Sequence, residues 1–318
     1  MPKAPEAEFL TIAAIRKPKG RRETQYLFNE KQRIFTFRSK SKTSAAAAER
    51  LEEAFEKKRP VKARLDMRKG FIQRIAKPTA KELSQFERKR TFLADAARPR
   101  RIEVAKIDPT TFNIVDHYLK HPVFRLCRRV VPSYKSAKNI FDFCAKQSCH
   151  LPGPYDISPC IPFQYVPDGC YARAHKMRWI ITTRYRYCCD KVFSFANQDD
   201  DSLAVQATKW GGCCITWWYH VAPLIRVRLR FSKLRNLSVV LAMVIDPSMF
   251  DKPVLLSTWL SAQENTACHP NAHVSMYSIQ PGSAYWPASY DGTTFGTDPT
   301  YTLTDGTLTS YRNLVSCP

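Results

Sequence analysis

The chain has 318 residues, of which 44% are hydrophobic, and this composition is enough for a buried core and excludes wholesale disorder. The sequence has no apolar run near the roughly 18 residues that would cross a membrane. The formal net charge is +22, and residues 1–110, with 29 basic and 14 acidic side chains, contribute +15 of it. The basic excess therefore lies mainly in the first third of the chain.

The cysteines and tryptophans divide the chain in a similar way. All 11 cysteines lie at or after Cys127, and all six tryptophans lie at or after Trp179. These two changes in composition along the chain indicate two parts with different roles. A cysteine-dense part favours disulfides and an oxidising compartment, so we expect a secreted or exported protein even though the N-terminus has no clear signal peptide. The odd count leaves at least one thiol unpaired.

In chain order, the sequence predicts a basic N-terminal segment over residues 1–43 and a small α+β module over 44–108. Within the module, residues 44–58 form a predicted helix with Leu51 and Phe55 four residues apart on one face. The alternation in VKARLDMRKGFIQRIA predicts a β-hairpin, and TAKELSQFERKRTFLADAA predicts a second helix.

Residues 109–132 form a predicted linker with possible processing sites, such as the dibasic pair Arg128-Arg129. The alternative for such a pair is a solvated basic surface. A C-terminal domain over 133–318 follows and begins with a predicted helix over 135–147. Its two strongest strand signals are CCITWWYHVAPLIRVRLRF and LSVVLAMVID.

The stretch DGCYARAHKM places a cysteine directly after an Asp-Gly turn and at the start of a predicted helix. A thiolate at a helix N-terminus is stabilised by the helix dipole, which lowers its pKa and favours a nucleophile. The residues spaced four, three and four apart on the inward stripe of this helix are Cys170, Ala174, Met177 and Ile181.

Two histidines are candidate bases for Cys170. His175 lies five residues on, about 140° around the helix, so we assign it a surface or packing role. His220 lies on the first strand signal, with Thr216 and Trp218 on its face if the strand is continuous. Asp246 ends the second strand signal, and antiparallel pairing would make it a neighbour that orients His220.

Three segments, CIPFQYVPDGCYARAHKMRWII, GGCCITWWYHVAPLI and VIDPSMF, resemble the signatures of the bacterial protein glutaminase family. These papain/transglutaminase-like enzymes convert side-chain glutamine in proteins to glutamate and release ammonia. The likeness covers about residues 130–318. It implies that the catalytic nucleophile, base and orienting carboxylate are Cys170, His220 and Asp246.

The resemblance implies an α+β fold in which a helix bearing the cysteine packs on an antiparallel sheet bearing the histidine and aspartate. It also implies a preceding pro-region that occludes the site, because residues 44–105 resemble that region in element order. The expected partners are glutamine-bearing proteins or peptides and the intramolecular pro-region, without a cofactor, membrane span or obligatory nucleic acid. We expect a monomer.

Other residues near the predicted site have proposed roles. Backbone N–H groups at the helix start, around Gly169, can hold an oxyanion. Trp217, Trp218 and Tyr219 either wall the substrate cleft or pack in the core.

Metal binding is disfavoured, because the sequence has no Cys-x-x-Cys and no His-x-x-x-His pair. Separate disulfides suit the remaining cysteines better, and the loop from Cys149 to Cys160 is easily closed by one. The other candidates, whose connectivity the sequence leaves open, are Cys188, Cys189, Cys213, Cys214, Cys268 and Cys317.

Three alternatives remain open at this point. A cysteine protease or a transglutaminase-type acyl transferase can use the same triad. A deamidase effector directed at one host protein is a second alternative. The basic first third leaves a nucleic-acid-binding protein as the third, although no binding motif stands out there.

Overall fold

The computed structural model describes residues 7–18, 23–38, 42–76, 78–95, 127–197, 201–230 and 238–317. These residues form a mixed α+β fold with two β-sheet cores, one in each part of the chain. Within these ranges, no helix combines the length and the apolar character needed to cross a membrane.

An N-terminal module, residues 7–95, is built on a six-stranded sheet with strand order β1-β5-β6-β4-β3-β2. Its strands are β1 Glu8–Leu10, β2 Ile12–Arg16, β3 Thr24–Phe28, β4 Ile34–Phe37, β5 Val61–Asp66 and β6 Phe71–Ala76. Its helices are α1 Lys42–Glu56 and α2 Ala80–Asp95.

The first four strands share a sheet with the predicted hairpin, so the division into a segment 1–43 and a module 44–108 is wrong. Buried side chains alternate along β2 and β5, as expected for strands with one face on the core. The apolar positions of the first segment therefore complete a core that the hairpin and helices alone would leave open.

The hairpin and both helices of this module lie where the sequence predicts them. Gly70 ends the hairpin turn with φ of +71°, and the Asp66 carboxylate accepts the N–H groups of Arg68 and Lys69. On α1, the two residues of the predicted face differ in burial: Leu51 is fully buried and Phe55 is 38% exposed.

The C-terminal domain centres on a five-stranded antiparallel sheet with strand order β12-β11-β10-β7-β13. The sheet strands are β7 Asp190–Phe195, β10 Tyr219–Arg230, β11 Ser238–Val244, β12 Val254–Leu255 and β13 Met276–Gln280. Two short pairs lie outside it: β8 Leu203–Gln206 with β9 Cys214–Trp217, and β14 Ala284–Pro287 with β15 Phe295–Thr297. The helices are α3 Tyr134–Lys146, α4 Cys170–Thr183, α5 Leu256–Ser261 and α6 Thr302–Tyr311.

The first strand signal of this domain is divided in two. The chain bends at Trp218, so β9 and β10 belong to different sheets and the continuous alternation predicted across them is wrong. The helix α4 packs on β10, which places Cys170 at the helix start near the first residues of that strand.

Residues 127–132 belong to this domain rather than to a linker, while most of the predicted linker 109–132 lies outside the described residues. The Arg128 N–H donates to the carbonyl of Arg186, and Val131 bridges Val227 on β10. The dibasic pair is therefore placed against the domain surface.

Four disulfides cross-link the C-terminal domain: Cys127–Cys188, Cys149–Cys160, Cys213–Cys317 and Cys214–Cys268. The predicted disulfide role of Cys189 is wrong, because Cys189 is a buried free thiol in the same core cluster as Cys144. Cys188 and Cys189 are adjacent and point in different directions, so only Cys188 reaches a partner. The sequence did not single out that partner, Cys127.

The Cys213–Cys317 disulfide joins residues that are 104 apart in the sequence. Because the Cys214–Cys268 disulfide lies within this span, the loop that Cys213–Cys317 closes has only about 50 residues. In the chain-entropy account such a loop stabilises the fold by about 4 kcal/mol. We expect Cys213→Ser with Cys317→Ser to lower the free energy of unfolding by about this amount in urea titrations of the non-reduced protein.

The Cys149→Ser and Cys160→Ser pair is the matched control, because its disulfide closes a separation of only 11 residues. We expect this double substitution to lower the free energy of unfolding by about 1 kcal/mol less than the first one does. An equal or larger loss would contradict the entropic ranking.

Candidate active site

Glycine at position 169 allows α4 to begin where it does. Gly169 has φ of +82°, and a Cβ atom at this position would lie 2.9 Å from a ring carbon of Tyr311. Cys170 follows as the first helical residue and is 2% exposed. The thiol is thus held at the helix N-terminus, close to backbone N–H groups that have no partner within the helix.

Both ring nitrogens of His175 contact groups other than Cys170. Its Nδ1 accepts from Nζ of Lys191 at 2.7 Å, and its Nε2 lies 3.1 Å from the carbonyl of Asp298. Burial, followed by the charge of Lys191, lowers the pKa of His175 to about 2. Both ring nitrogens are therefore engaged away from Cys170, and His175 packs inside the domain.

His220 and Asp246 are neighbours. His220 lies on β10, which pairs antiparallel with β11, and Asp246 lies two residues beyond the end of β11. The His220 Nε2 atom is 2.9 Å from Oδ2 of Asp246. Because an ionised carboxylate can only accept, the proton of the neutral imidazole is on Nε2, and Nδ1 is left as an acceptor.

Asp246 has further donors besides His220. Its Oδ1 accepts from the N–H of Ser248 at 3.2 Å and from the Ser248 hydroxyl, and its Oδ2 accepts from Nε1 of Trp259 at 3.0 Å. Burial raises the pKa of Asp246, but the bonds from His220, Ser248 and Trp259 outweigh this and lower it to about 2. The spacing Asp-Pro-Ser indicates the Ser248 contact, whereas nothing in the sequence marks Trp259.

Two indole rings hold the His220 imidazole between them. The Trp217 ring is stacked on it with centroids 4.5 Å apart, and Trp259 lies at 5.3 Å. The bend at Trp218 makes the first contact possible, because a continuous strand would place Trp217 and His220 on opposite faces. Burial lowers the pKa of His220, and the bonded Asp246 opposes this effect.

The Cys170 sulfur lies near the start of β10. It interacts with the backbone N–H of Val221, the residue that follows His220 on β10. Burial is the largest cause of a raised pKa of Cys170, while the nearby Arg173 guanidinium lowers it. In this covered site the cysteine is therefore a neutral thiol at neutral pH.

A residue of the N-terminal module completes the site. Gln32, in the turn between β3 and β4, is fully buried, and its Oε1 accepts from the backbone N–H of Cys170 at 3.2 Å. The Gln32 Nε2 atom lies 3.2 Å from Nδ1 of His220. The sequence gives no signal for this contact, because the turn and the site are more than 130 residues apart in the chain.

Asp168 connects the same turn to the domain. It is fully buried, and its carboxylate accepts from the N–H of Gln32 at 2.8 Å and from the Tyr311 hydroxyl at 2.5 Å. The Lys31 ammonium lies 3.7 Å from Asp168 and 2.9 Å from Glu8. Gly169 is the N-cap residue of α4, and no side chain caps this helix.

The three aromatic candidates differ in position. Trp218 donates through Nε1 to the carbonyl of Lys31 at 2.7 Å and through its backbone N–H to the carbonyl of Gln32 at 3.2 Å. Trp217 contacts His220 as described, and its Nε1 donates to the carbonyl of Val166. Tyr219 is fully buried and packs against Trp218, so it belongs to the core.

The chain is similar to known proteins of one family. A family model described as glutaminase matches residues 137–263, a range that contains Cys170, His220 and Asp246. No curated protein sequence matches the chain. A crystal structure of a mutant of pro-protein-glutaminase resembles 98% of this chain and 95% of its own, at 25% identity and a TM-score of 0.68.

A second crystal structure, of protein-glutaminase, is 33% identical to this chain, with a TM-score of 0.50. The match covers 59% of this chain and 92% of the other. Because nearly the whole of that protein is matched at this identity, the chain belongs to the protein-glutaminase family.

Proposed function

We propose that this protein deamidates glutamine side chains in proteins or peptides, releasing ammonia and leaving glutamate. The observation that carries the proposal is the position of His220. Its Nε2 atom bonds Asp246, and its Nδ1 atom lies against the carboxamide of Gln32, whose oxygen accepts from the N–H of Cys170. Membership of the protein-glutaminase family supports the same reaction.

In the proposed reaction, Nδ1 of His220 accepts the Cys170 proton, and the thiolate attacks the carboxamide carbon. The tetrahedral intermediate collapses as protonated His220 donates to the departing nitrogen, and ammonia and a thioester remain. Water, deprotonated by His220, then cleaves the thioester to give a carboxylate and restore the thiol. Asp246 stays ionised and keeps the proton of neutral His220 on Nε2 throughout.

The oxyanion in this proposal is held at the start of α4. The Cys170 N–H already donates to a carboxamide oxygen, and the positive end of the helix dipole lies at the same place. Gly169 contributes by its conformation, which allows the helix to begin at Cys170.

We further propose that the chain is a latent precursor whose N-terminal module covers the site. Arg16 donates to the carbonyl of Ala196 and, at 2.7 Å, to the hydroxyl of Tyr290, and Asn29 donates to the carbonyl of Ala288 at 3.2 Å. With the contacts of Lys31 and Gln32, these bonds close the site from the module side. The likeness of nearly the whole chain to a pro-protein-glutaminase supports this role.

Export to an oxidising compartment is part of the proposal. Four disulfides in one domain are typical of secreted proteins and are rare in reducing compartments.

The reaction is tested by ammonia release from a glutaminyl peptide, with mass spectrometry of the peptide. After cleavage of the chain between the module and the domain, we expect ammonia release with conversion of glutamine to glutamate and an intact peptide backbone. Cys170→Ala should abolish the reaction, because no other group in the site can form the acyl-enzyme. Backbone cleavage would instead indicate a protease, and incorporation of an added amine would indicate a transglutaminase.

Asp246→Asn tests the role of the carboxylate. The asparagine amide can donate to Nε2 of His220, which places the imidazole proton on Nδ1 and prevents acceptance of the Cys170 proton. We expect kcat to fall by about 10³–10⁴-fold with a small change in KM. If KM rose by a similar factor while kcat stayed unchanged, Asp246 would act in substrate binding, which would contradict the proposed role.

If the chain is latent, the specific activity of the cut protein should depend on the protein concentration. While the chain is intact, the tether holds the module at an effective concentration of about 1 mM, and a cut between α2 and Cys127 removes this advantage. We expect the specific activity of the cut protein to rise on dilution to about 1 µM and below, where the module dissociates.

The intact chain is the control for this dilution series. Its specific activity should be low and independent of concentration. Equal activity of intact and cut protein at every concentration would contradict latency while leaving the reaction itself established.

A further inference from the structure

We propose that Arg173 is a positioning residue for the reaction: its guanidinium holds the turn that presents Cys170 and places a positive charge about one helical turn from the residue that must become a thiolate. This inference rests on the proposed function and deepens it, because it assigns a role to a buried cation outside the triad. Arg173 lies three residues after Cys170 on α4 and belongs to the C-terminal domain, so its contribution does not depend on the N-terminal module.

The Arg173 guanidinium holds the segment that leads into α4. Its Nη1 atom donates to the carbonyl of Tyr165 at 2.6 Å and to the carbonyl of Asp168 at 2.7 Å. An Nη atom carries two hydrogens, so these two carbonyls use both hydrogens of Nη1. The backbone N–H of Arg173 donates to the carbonyl of Gly169 at 3.1 Å. The turn before Cys170 is therefore tied to the first turn of the helix at three points.

The other side of the guanidinium has no such partner. Arg173 is 2% exposed, and its Nη2 atom is buried without a hydrogen bond to any described residue. None of the ion pairs in the described part of the chain includes Arg173. A buried cation without a counter-ion is costly. Because a neutral donor can also hold carbonyls, the charge of Arg173 requires a second explanation.

The Cys170 thiolate supplies the missing negative charge. Side chains three positions apart on a helix are neighbours, which places the guanidinium close to the thiol. The charge of Arg173 lowers the pKa of Cys170, and only burial, which raises it, has a larger effect. The same charge lowers the pKa of His220. Both effects favour the deprotonated forms, because the thiolate is the nucleophile and the neutral imidazole is the form that accepts a proton.

Two carboxylates act on Cys170 in the opposite direction. Asp168 precedes α4 and Asp246 follows β11, and the charge of each raises the pKa of Cys170. The effect of Arg173 is larger than that of either one. Without Arg173, a thiolate at this position would meet two negative charges, which disfavours its formation.

Other ionisable groups around Cys170 do not replace this charge. Lys191 on β7 and Tyr219 on β10 both interact electrostatically with Cys170. Burial lowers the pKa of Lys191 well below its usual value, which disfavours the charged amine, and raises the pKa of Tyr219 well above its usual value, which keeps the phenol neutral. Burial also disfavours the imidazolium form of His220.

The remaining cation at this end of α4 comes from the N-terminal module. Lys31 lies 3.7 Å from Asp168, but it also pairs with Glu8 of the module at 2.9 Å. It therefore leaves the site when the module does. Among the described groups that act on Cys170, Arg173 is the cation that the C-terminal domain retains.

The pH dependence of Cys170 alkylation tests this role. The rate of reaction with iodoacetamide is measured against pH in the intact chain and in the chain cut between α2 and Cys127. It is read by mass spectrometry of the chymotryptic peptide 166–171, which contains Cys170 and is the same in every variant.

Arg173→Gln removes the charge and keeps one neutral donor for the carbonyls. We expect the midpoint of its alkylation profile to rise by about one pH unit, because the thiolate loses its counter-charge. At neutral pH the alkylation rate should fall by less than about tenfold, since a thiolate of higher pKa is also the better nucleophile.

Two further variants are the controls. Arg173→Lys keeps the charge without the planar fork of the guanidinium, and its midpoint should stay close to that of the wild type. Arg184→Gln removes a positive charge from an exposed position at the other end of α4, about 20 Å from Cys170, and should leave the midpoint unchanged.

Thermal unfolding midpoints identify the variants that fold, and Arg173→Met is a second neutral variant that should shift the profile in the same direction. A folded neutral variant with the wild-type alkylation midpoint would overturn the inference. A folded Arg173→Lys whose midpoint rises by about one pH unit would overturn it as well, because the charge is still present. The lysine variant therefore tests the inference on its own where neither neutral variant folds.

Ammonia release by the cut protein gives a second readout. For Arg173→Gln, kcat/KM should fall at neutral pH and recover towards the wild-type value at alkaline pH, where the thiolate forms without the charge. An equal loss at every pH would indicate a purely structural role and contradict the electrostatic one. Alkylation does not require catalysis, so the two claims fail separately. If the wild-type cut protein releases no ammonia from any glutaminyl peptide, the proposed function fails, and the alkylation midpoints still test Arg173.

Discussion

The carboxylate of Asp246 is the constraint on which the site depends, because a buried charge is stable only when donors surround it. Donors come from His220 on β10, from Ser248 in the turn after β11 and from Trp259 on α5. Each donor fixes one element against the others, and the Trp259 ring that donates to Asp246 also packs on the imidazole. The position of the His220 imidazole is therefore set through Asp246 by Ser248 and Trp259.

A second buried carboxylate joins the two parts of the chain. Asp168 lies two residues before Cys170 and takes one donor, the Tyr311 hydroxyl, from its own domain. The Gln32 N–H and the Lys31 ammonium are supplied by the module. Asp168 therefore takes its donors from both parts of the chain.

The sequence predicted the parts of this arrangement that depend on local pattern. Helical spacing placed Cys170 at a helix start, and strand periodicity with the Asp-Pro terminator placed His220 and Asp246 close together. The hairpin and helices of the module followed from the same periodicities. Trp259 and Gln32 could not be found in this way, because their contacts cross long sequence separations and neither residue stands in a pattern that marks a buried polar role. The bend at Trp218, which separates two strands in one apolar run, was hidden for the same reason.

Cys170 and His220 are both buried in this arrangement, and burial affects their protonation. Cys170 is disfavoured as a thiolate and His220 as an imidazolium because both are removed from water, so the proton remains on sulfur. Gln32 contributes to that burial by covering Cys170 and His220 at once, and its carboxamide satisfies a donor and an acceptor that would otherwise lack partners. We infer that departure of the module admits water to both groups and moves their pKa values towards each other. Uncovering the site would then supply the nucleophile without a separate conformational switch in the C-terminal domain.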